Sequence, residues 1–355
     1  MKVVIDGYWL LNGPPSGRMV VKEIIRAWGR LHPEDQLTVL VPRRDRAAVQ
    51  LDHPTVEVRG TRAPVHLLAA AIALPVLARR VGGDLVVSQN FTPLFGAARS
   101  AVFVHDVLFQ SNPSWFTRLE RAYLSLIPAL LPRADRVLTS SSTETRRIRE
   151  HNPRAHQIVP TGLGISRAMR HDAPSRPVDG LLAGQFLLTV GRLNVRKNLS
   201  TTIEAAVASG RVTCDLPLVV VGEPSGRSEA LSSSAREAES AGSVRFVGGV
   251  ADDELRWLYE HCRLMLFLSL DEGWGLPPIE AANLGARVLV SDRPVFRETL
   301  AGDATFVDSN DVDAVAEHIR LELDTDHQKP PLTDTDRQRS SWSGVVAAAR
   351  ATTEK

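Results

Sequence analysis

Apolar residues fall along this chain in short β-branched runs that alternate with stretches of helical periodicity, the pattern of βα units feeding a parallel sheet. In the first half the runs predict strands at 3–6, 37–41, 56–59, 85–88, 101–104, 136–139 and 157–159. The helix after the first strand is explicit: Val21, Ile24, Ile25, Trp28 and Leu31 make one stripe, Lys22, Arg26 and Arg30 another. Periodicity stops between 167 and 184, where Asp172-Ala-Pro-Ser-Arg-Pro-Val-Asp-Gly180 reads as a linker. It resumes with strands at 186–190, 218–221, 244–247, 264–267, 288–290 and 305–307. A polar stretch at 324–339 precedes a small-residue helix at 342–351. The expectation is two tandem α/β domains of Rossmann-like parallel-sheet type with a cleft between them, 1–165 and 185–339, joined by a linker at 166–184.

Composition narrows this picture. With 355 residues, 43% of them hydrophobic, and 24 Gly and 22 Pro scattered without period, the chain is neither disordered nor collagen-like. Two cysteines, Cys214 and Cys262, with no CxxC spacing exclude a disulfide scaffold and give metal or redox roles little support. The net charge of +1 hides a division: residues 1–165 carry 21 Lys+Arg against 13 Asp+Glu, and the remainder 21 against 28. Opposite signs argue against one nucleic-acid groove running across both halves, so no nucleic-acid partner is expected. Met1-Lys2-Val3-Val4-Ile5-Asp6 reads as a buried strand rather than a secretory signal, and the longest apolar run, 67–78, contains Pro75 and is too short to span a bilayer. A cytoplasmic location is the expectation.

Ligands of such sheets bind beyond the carboxyl ends of the strands. Four segments there carry chemistry. The loop Leu11-Asn-Gly13-Pro-Pro-Ser-Gly17-Arg18 opens onto a helix whose backbone N–H groups could hold an anion, but it fits neither GxGxxG nor GxxxxGK[ST], which weakens a dehydrogenase or P-loop reading. His105-Asp106 follows a strand directly, placing an imidazole at the sheet edge. Gly191-Arg192-Leu-Asn-Val-Arg-Lys197-Asn198 sets Arg192 and Lys197 about a helix start, where a guanidinium and an ammonium can together neutralise a diphosphate. The densest signal is Ser269-Leu-Asp-Glu272-Gly273-Trp274-Gly275-Leu276-Pro-Pro-Ile-Glu280: a glycine-rich turn, paired prolines opening a helix, and two carboxylates eight residues apart that can both face one ligand. Glu280 could accept from a pair of neighbouring hydroxyls, or could only cap its own helix.

Over residues 1 to 308 these segments resemble glycosyltransferase family 4, the retaining transferases of GT-B fold that include bacterial mannosyl-, glucosyl- and N-acetylglucosaminyltransferases. Glu272 to Glu280 is similar to its E-x7-E motif, and Thr189-Val-Gly-Arg-Leu-Asn-Val-Arg-Lys-Asn198 to its donor-phosphate segment. Leu218 to Gly222, Val244 to Gly248, Pro160-Thr-Gly162, His105-Asp106 and Ala134 to Ser140 stand in the family's order. The resemblance implies a C-terminal helix, 340–355, returning to the first domain. It implies that Arg192 and Lys197 bind the nucleotide diphosphate, Glu280 the ribose hydroxyls, and Glu272 with Gly273, Trp274, Gly275 and Leu276 the transferred sugar and its phosphate. His105 would contact that sugar, and Gly17 with its loop the phosphate or the acceptor, although Gly13-Pro-Pro-Ser-Gly17 departs from the family's adjacent glycines.

The implied activity is a retaining hexosyl transfer with a nucleotide-diphosphate sugar as co-substrate and neither metal nor other cofactor. GDP-mannose is the first donor expected, UDP- or dTDP-sugars the alternative. The acceptor would be a glycan or lipid-linked hydroxyl, and the Arg79-Arg80 and Arg146-Arg147-Arg149 clusters would face an anionic membrane. A non-catalytic sugar-nucleotide-binding scaffold or a sugar-nucleotide epimerase are the rival readings; Arg192, Lys197, Glu272, Glu280 and His105 together weigh against the scaffold, and the E-x7-E arrangement against the epimerase.

Overall fold

The computed structural model describes residues 1–51, 56–170, 172–224, 226–227, 231–325 and 341–354. It divides into two compact units, Met1–Pro113 with Arg118–Gly164 and Arg339–Lys355, and Ser114–Thr117 with Ile165–Gln338.

The first unit is a seven-stranded sheet of β1 (Lys2–Asp6), β2 (Gln36–Pro42), β3 (Val56–Thr61), β4 (Leu85–Gln89), β5 (Arg99–Val104), β6 (Arg136–Thr139) and β7 (Ile158–Pro160). Its spatial order is β3-β2-β1-β4-β5-β6-β7 and every pairing is parallel. The strands are apolar on both faces because helices cover both, so Val3, Val4, Val39, Val102 and Phe103 are wholly buried. The helix Pro15–Leu31 lays Val20, Val21, Ile24, Ile25 and Trp28 into the core, and Trp28 Nε1 donates to Asp35 at 3.0 Å. Asp35 also accepts from the chain's first amine at 2.6 Å and from Arg350 Nε at 3.3 Å. That last bond ties down the terminal helix Ser343–Arg350, which packs in this unit.

The apolar run around Pro75 is helical from His66 to Val81, but not uniformly. Ala69–Ala73 forms a π turn, with Leu74 N–H bonded to Ala69 C=O five residues back, and Leu74–Val81 continues as α-helix. The π turn restarts the register so that Pro75 falls in a first turn, where its missing N–H costs least.

The second unit is a six-stranded sheet of β8 (Leu187–Val190), β9 (Leu218–Val221), β10 (Val244–Gly248), β11 (Leu264–Phe267), β12 (Val288–Ser291) and β13 (Thr305–Val307), in the order β10-β9-β8-β11-β12-β13, again all parallel. The pleat sorts side chains between two core layers: Leu188, Val219, Val221, Met265 and Phe267 to one, Leu187, Leu218, Val220, Leu264 and Leu266 to the other. The stretch read as a linker is mostly exposed but anchored: Met169 and Leu181 are buried in the first of those layers, and Arg176 pairs with Asp253 and Glu254 at 3.1 Å each. All thirteen strands lie where the apolar runs put them, with no end shifted by more than two residues.

The strand order creates one privileged place in each sheet. Connections run in opposite directions from β1 and β4 in the first unit, and from β8 and β11 in the second, and a crevice opens beyond the carboxyl ends of such a pair.

Candidate active site

In the second unit, the loop after β8 and the loop after β11 meet at that switch point. Val195–Lys197 forms a single 3-10 turn, Asn198 adopts a left-handed φ of 53°, and the helix Leu199–Ala208 begins there. Leu270 N–H donates to Arg196 C=O at 2.9 Å, stitching the two loops together. The stitch brings Glu272 onto two cations. Its carboxylate pairs with Arg196 Nη1 through one oxygen and with Lys197 Nζ at 2.7 Å through the other. Arg196 Nη1 also donates to Asp271 C=O at 3.3 Å, and Lys197 Nζ lies 4.3 Å from the centre of the Phe267 ring.

The electrostatics of this trio are set by burial and by mutual charge. Burial alone would raise the Glu272 pKa, but the positive charges of Arg196 and Lys197 outweigh it and hold the carboxyl down at about 2. Burial pushes the Lys197 ammonium down to about 8, with Arg196 and Arg192 adding repulsion and Glu272 opposing them. Arg192 itself is exposed, close enough for its charge to act on Lys197. Gly191 leaves room for this lysine: a Cβ there would meet Lys197 Cε at 2.7 Å.

The turn after Glu272 is as the sequence requires. Gly275 caps the helix Leu276–Asn283 with φ of 85°, and Pro277 and Pro278 fall in its first turn. Trp274 is half-buried, and its Nε1 donor has no partner among the described residues. Glu280 does not cap its helix. It is buried beside Tyr259, whose hydroxyl donates to Glu280 Oε2 at 3.4 Å, and burial reinforced by the charge of Asp252 raises its pKa to about 8. The two carboxylates of one motif are thus held in opposite states at neutral pH, Glu272 ionised and Glu280 protonated, the pattern by which one site separates acid and base roles.

Two residues of this cluster were not singled out from the sequence. Arg196 stands beside Lys197 in a segment already marked, but that both adjacent cations turn inward depends on the 3-10 turn. Tyr259 lies on the helix Asp252–His261 and carries no motif at all.

In the first unit, His105 follows β5 as expected. Its Nε2 lies 2.7 Å from Gln89 Oε1 at the end of β4, and its N–H donates to Asn90 Oδ1 at 3.3 Å. Gly17 is buried in the first turn of its helix, against the indole of Trp9, whose ring occupies the place a Cβ would need. The glycine is therefore accounted for by side-chain packing. The Arg146-Arg147-Arg149 cluster is less open than its spelling implies: Arg147 pairs with the buried Glu144, and Arg149 donates to Ile158 C=O at 3.1 Å.

Among the described residues the group with metal-ligand spacing is His32, Glu34 and Asp35, and Asp35 is already engaged by the N-terminal amine, Trp28 and Arg350. The Asp311–Asp313 pair serves a helix start, Asp311 accepting from Ala314 N–H at 2.9 Å. No helix among the described residues is long and apolar enough to cross a membrane.

Two tandem Rossmann-like units of this kind make up the GT-B architecture of glycosyltransferases. Residues 182–332, which contain the Glu272 cluster, match the family model described as glycosyl transferases group 1. The chain is 28% identical over 236 residues to O-antigen chain mannosyltransferase B of Escherichia coli, covering 64% of this chain and 62% of that protein. It is 32% identical over 244 residues to O-antigen chain mannosyltransferase RfbU of Salmonella typhimurium, covering 68% and 65%. The matches thus span less than two thirds of those relatives' length. Among solved structures, sucrose-phosphate synthase of Thermosynechococcus elongatus has the same fold, with a TM-score of 0.66, 18% identity, and coverage of 99% of this chain and 94% of that one.

Proposed function

We propose that the chain is a glycosyltransferase that moves a hexose from a nucleotide-diphosphate sugar to a hydroxyl of a glycan or glycolipid, with retention at the anomeric carbon and without a metal. The observation that carries this reading is the buried Glu272–Arg196–Lys197 trio at the switch point of the unit that matches the family model. Two inward cations balanced by one carboxylate form an anion site holding its own counterion. A diphosphate brings more negative oxygens to the same cations and can displace the carboxylate, which then turns to the sugar.

Cleaving the sugar–phosphate bond builds charge on the leaving β-phosphate. Lys197, Arg192 and Arg196 supply the stabilisation a metal would otherwise give. Glu280, protonated below about pH 8, can both donate to and accept from a ribose diol. Gly273 to Leu276 present backbone donors and the orphaned Trp274 Nε1 beside Glu272. The names of the relatives favour mannose, and GDP-mannose is the donor proposed.

Contact with an anionic membrane is proposed for the helical stretch after Val65. Val65, Leu68 and Ile72 are 43%, 38% and 42% exposed, and Arg79 and Arg80 are exposed beyond them. Flotation with vesicles containing acidic lipid, but not with neutral ones, is the expected result.

A thermal-shift panel of GDP, UDP, dTDP and their sugars tests the function. A ligand that binds only the native state adds about 2.7 kcal/mol at a hundredfold excess over Kd. GDP and GDP-mannose should raise Tm by several degrees; a panel in which no nucleotide does so contradicts the reading.

A further inference from the structure

The switch point of the first unit holds a second cluster. Asp6 ends β1 and Gln89 ends β4, the two strands where the order reverses. His66, 3% exposed, reaches Asp6 from the helix start sixty residues on, with Nε2 2.6 Å from Asp6 Oδ2. Asp6 also accepts from Tyr8 N–H at 3.0 Å and Gln89 N–H at 3.4 Å. With a neutral imidazole, this carboxylate accepts a hydrogen bond from His66 Nε2–H as well. In that tautomer Nδ1 is the acceptor, and it has no partner among the described residues. Gln89 is in the complementary position: its Oε1 is engaged by His105, while its buried Nε2 donor has no partner.

The unmatched Nδ1 of His66 and the unmatched Nε2 donor of Gln89 cost free energy unless something completes them. One group that both donates and accepts is a hydroxyl. Aromatic rings surround the cluster. Trp9 packs on His66 with centroids 4.1 Å apart and stands 6.0 Å from His105, and Phe91 meets the imidazole edge-on at 5.4 Å. Trp9 is half-buried and rests against Gly17 without an intervening Cβ, so its indole covers the cluster from a place kept open for it.

We propose that Asp6, His66 and Gln89 form a hydroxyl-binding subsite for a sugar, with Trp9 as its cover and stacking face. The subsite would position the acceptor. It rests on the reading that a sugar-bearing acceptor comes to this chain, but the binding itself is measurable without transfer.

The test uses the full chain with methyl α-D-mannopyranoside and methyl α-D-glucopyranoside as probes. Saturation-transfer NMR should show one or both bound, and Trp9→Ala should cut the signal at least fivefold with an unchanged melting curve. In long-range ¹H–¹⁵N spectra, the probe should move the Nδ1 resonance of His66, assigned by its disappearance in His66→Phe. Where His66→Phe fails to fold, the Trp9→Ala comparison still decides. Unchanged binding by Trp9→Ala, an unmoved Nδ1 resonance, or no binding of either pyranoside overturns the proposal. GDP binding is measured on the same samples. GDP binding without any sugar response removes the subsite and leaves the proposed function standing; sugar binding without any nucleotide response does the reverse.

Discussion

Both units bring the carboxyl ends of two strands together where the connections reverse, yet they fill that place with different chemistry. At β8 and β11 of the second unit the groups are charged and paired with one another: Arg196 and Lys197 close on Glu272. At β1 and β4 of the first unit a single carboxylate is met by two backbone N–H groups and an imidazole, and His66 and Gln89 are each left with one buried polar atom unmatched. A site for a highly charged ligand can hold its own counterion until the ligand arrives. A site for a neutral hydroxyl has no such substitute, and its unmatched groups remain in view. On the proposed roles, the same backbone geometry leaves different traces of its ligand.

This contrast can be broken most forcefully by removing the counterion. Glu272→Ala removes the carboxylate that neutralises two largely buried cations and should cost about 3–5 kcal/mol in urea melts. A cost below about 1 kcal/mol would mean that the trio is held loosely. Arg192→Ala should leave stability within about 0.5 kcal/mol, because its side chain is exposed, and yet abolish measurable transfer. Near-normal turnover in that variant would remove Arg192 from the site.

A smaller effect concerns pH. Lys197 is held down at about 8, so it loses its proton as pH rises through that value, and a diphosphate binds the charged form. GDP affinity measured by calorimetry should be flat below about pH 7 and fall toward tenfold per unit above about 8. Affinity that rises over that range would reverse the sign of the account. Smallest of all should be the effect of a chelator: initial rates are expected to change little with EDTA present, whereas strict dependence on Mn²⁺ would contradict metal-free transfer.

The sequence announced far more of the second site than of the first, for a physical reason. Glu272, the glycine turn, the prolines and Glu280 lie within twelve residues, and Arg192 to Asn198 in one loop, so local chemistry exposed them. All thirteen strands were equally legible, because strands buried on both faces are short apolar runs. Asp6 and His66 are sixty residues apart, and nothing local marks either one. Only the sheet order, which periodicity does not encode, brings β1 beside β4. Arg196 is an intermediate case, visible in the right segment but turned inward by a backbone turn that its spelling does not dictate. Gly17 stands in a loop marked for its chemistry, and its missing side chain makes room for Trp9, a packing role the loop's spelling does not show.

The central claim is that Glu272 and a diphosphate compete for the same two cations. Isothermal titration of GDP into the wild type, Lys197→Ala and Glu272→Gln tests it directly, because the two substitutions should act in opposite directions. Lys197→Ala should weaken binding at least a hundredfold, and Glu272→Gln, freed of the competing carboxylate, should bind GDP at least as tightly as the wild type. Equal affinity in all three proteins, or loss of binding in Glu272→Gln with its fold intact, would contradict the account.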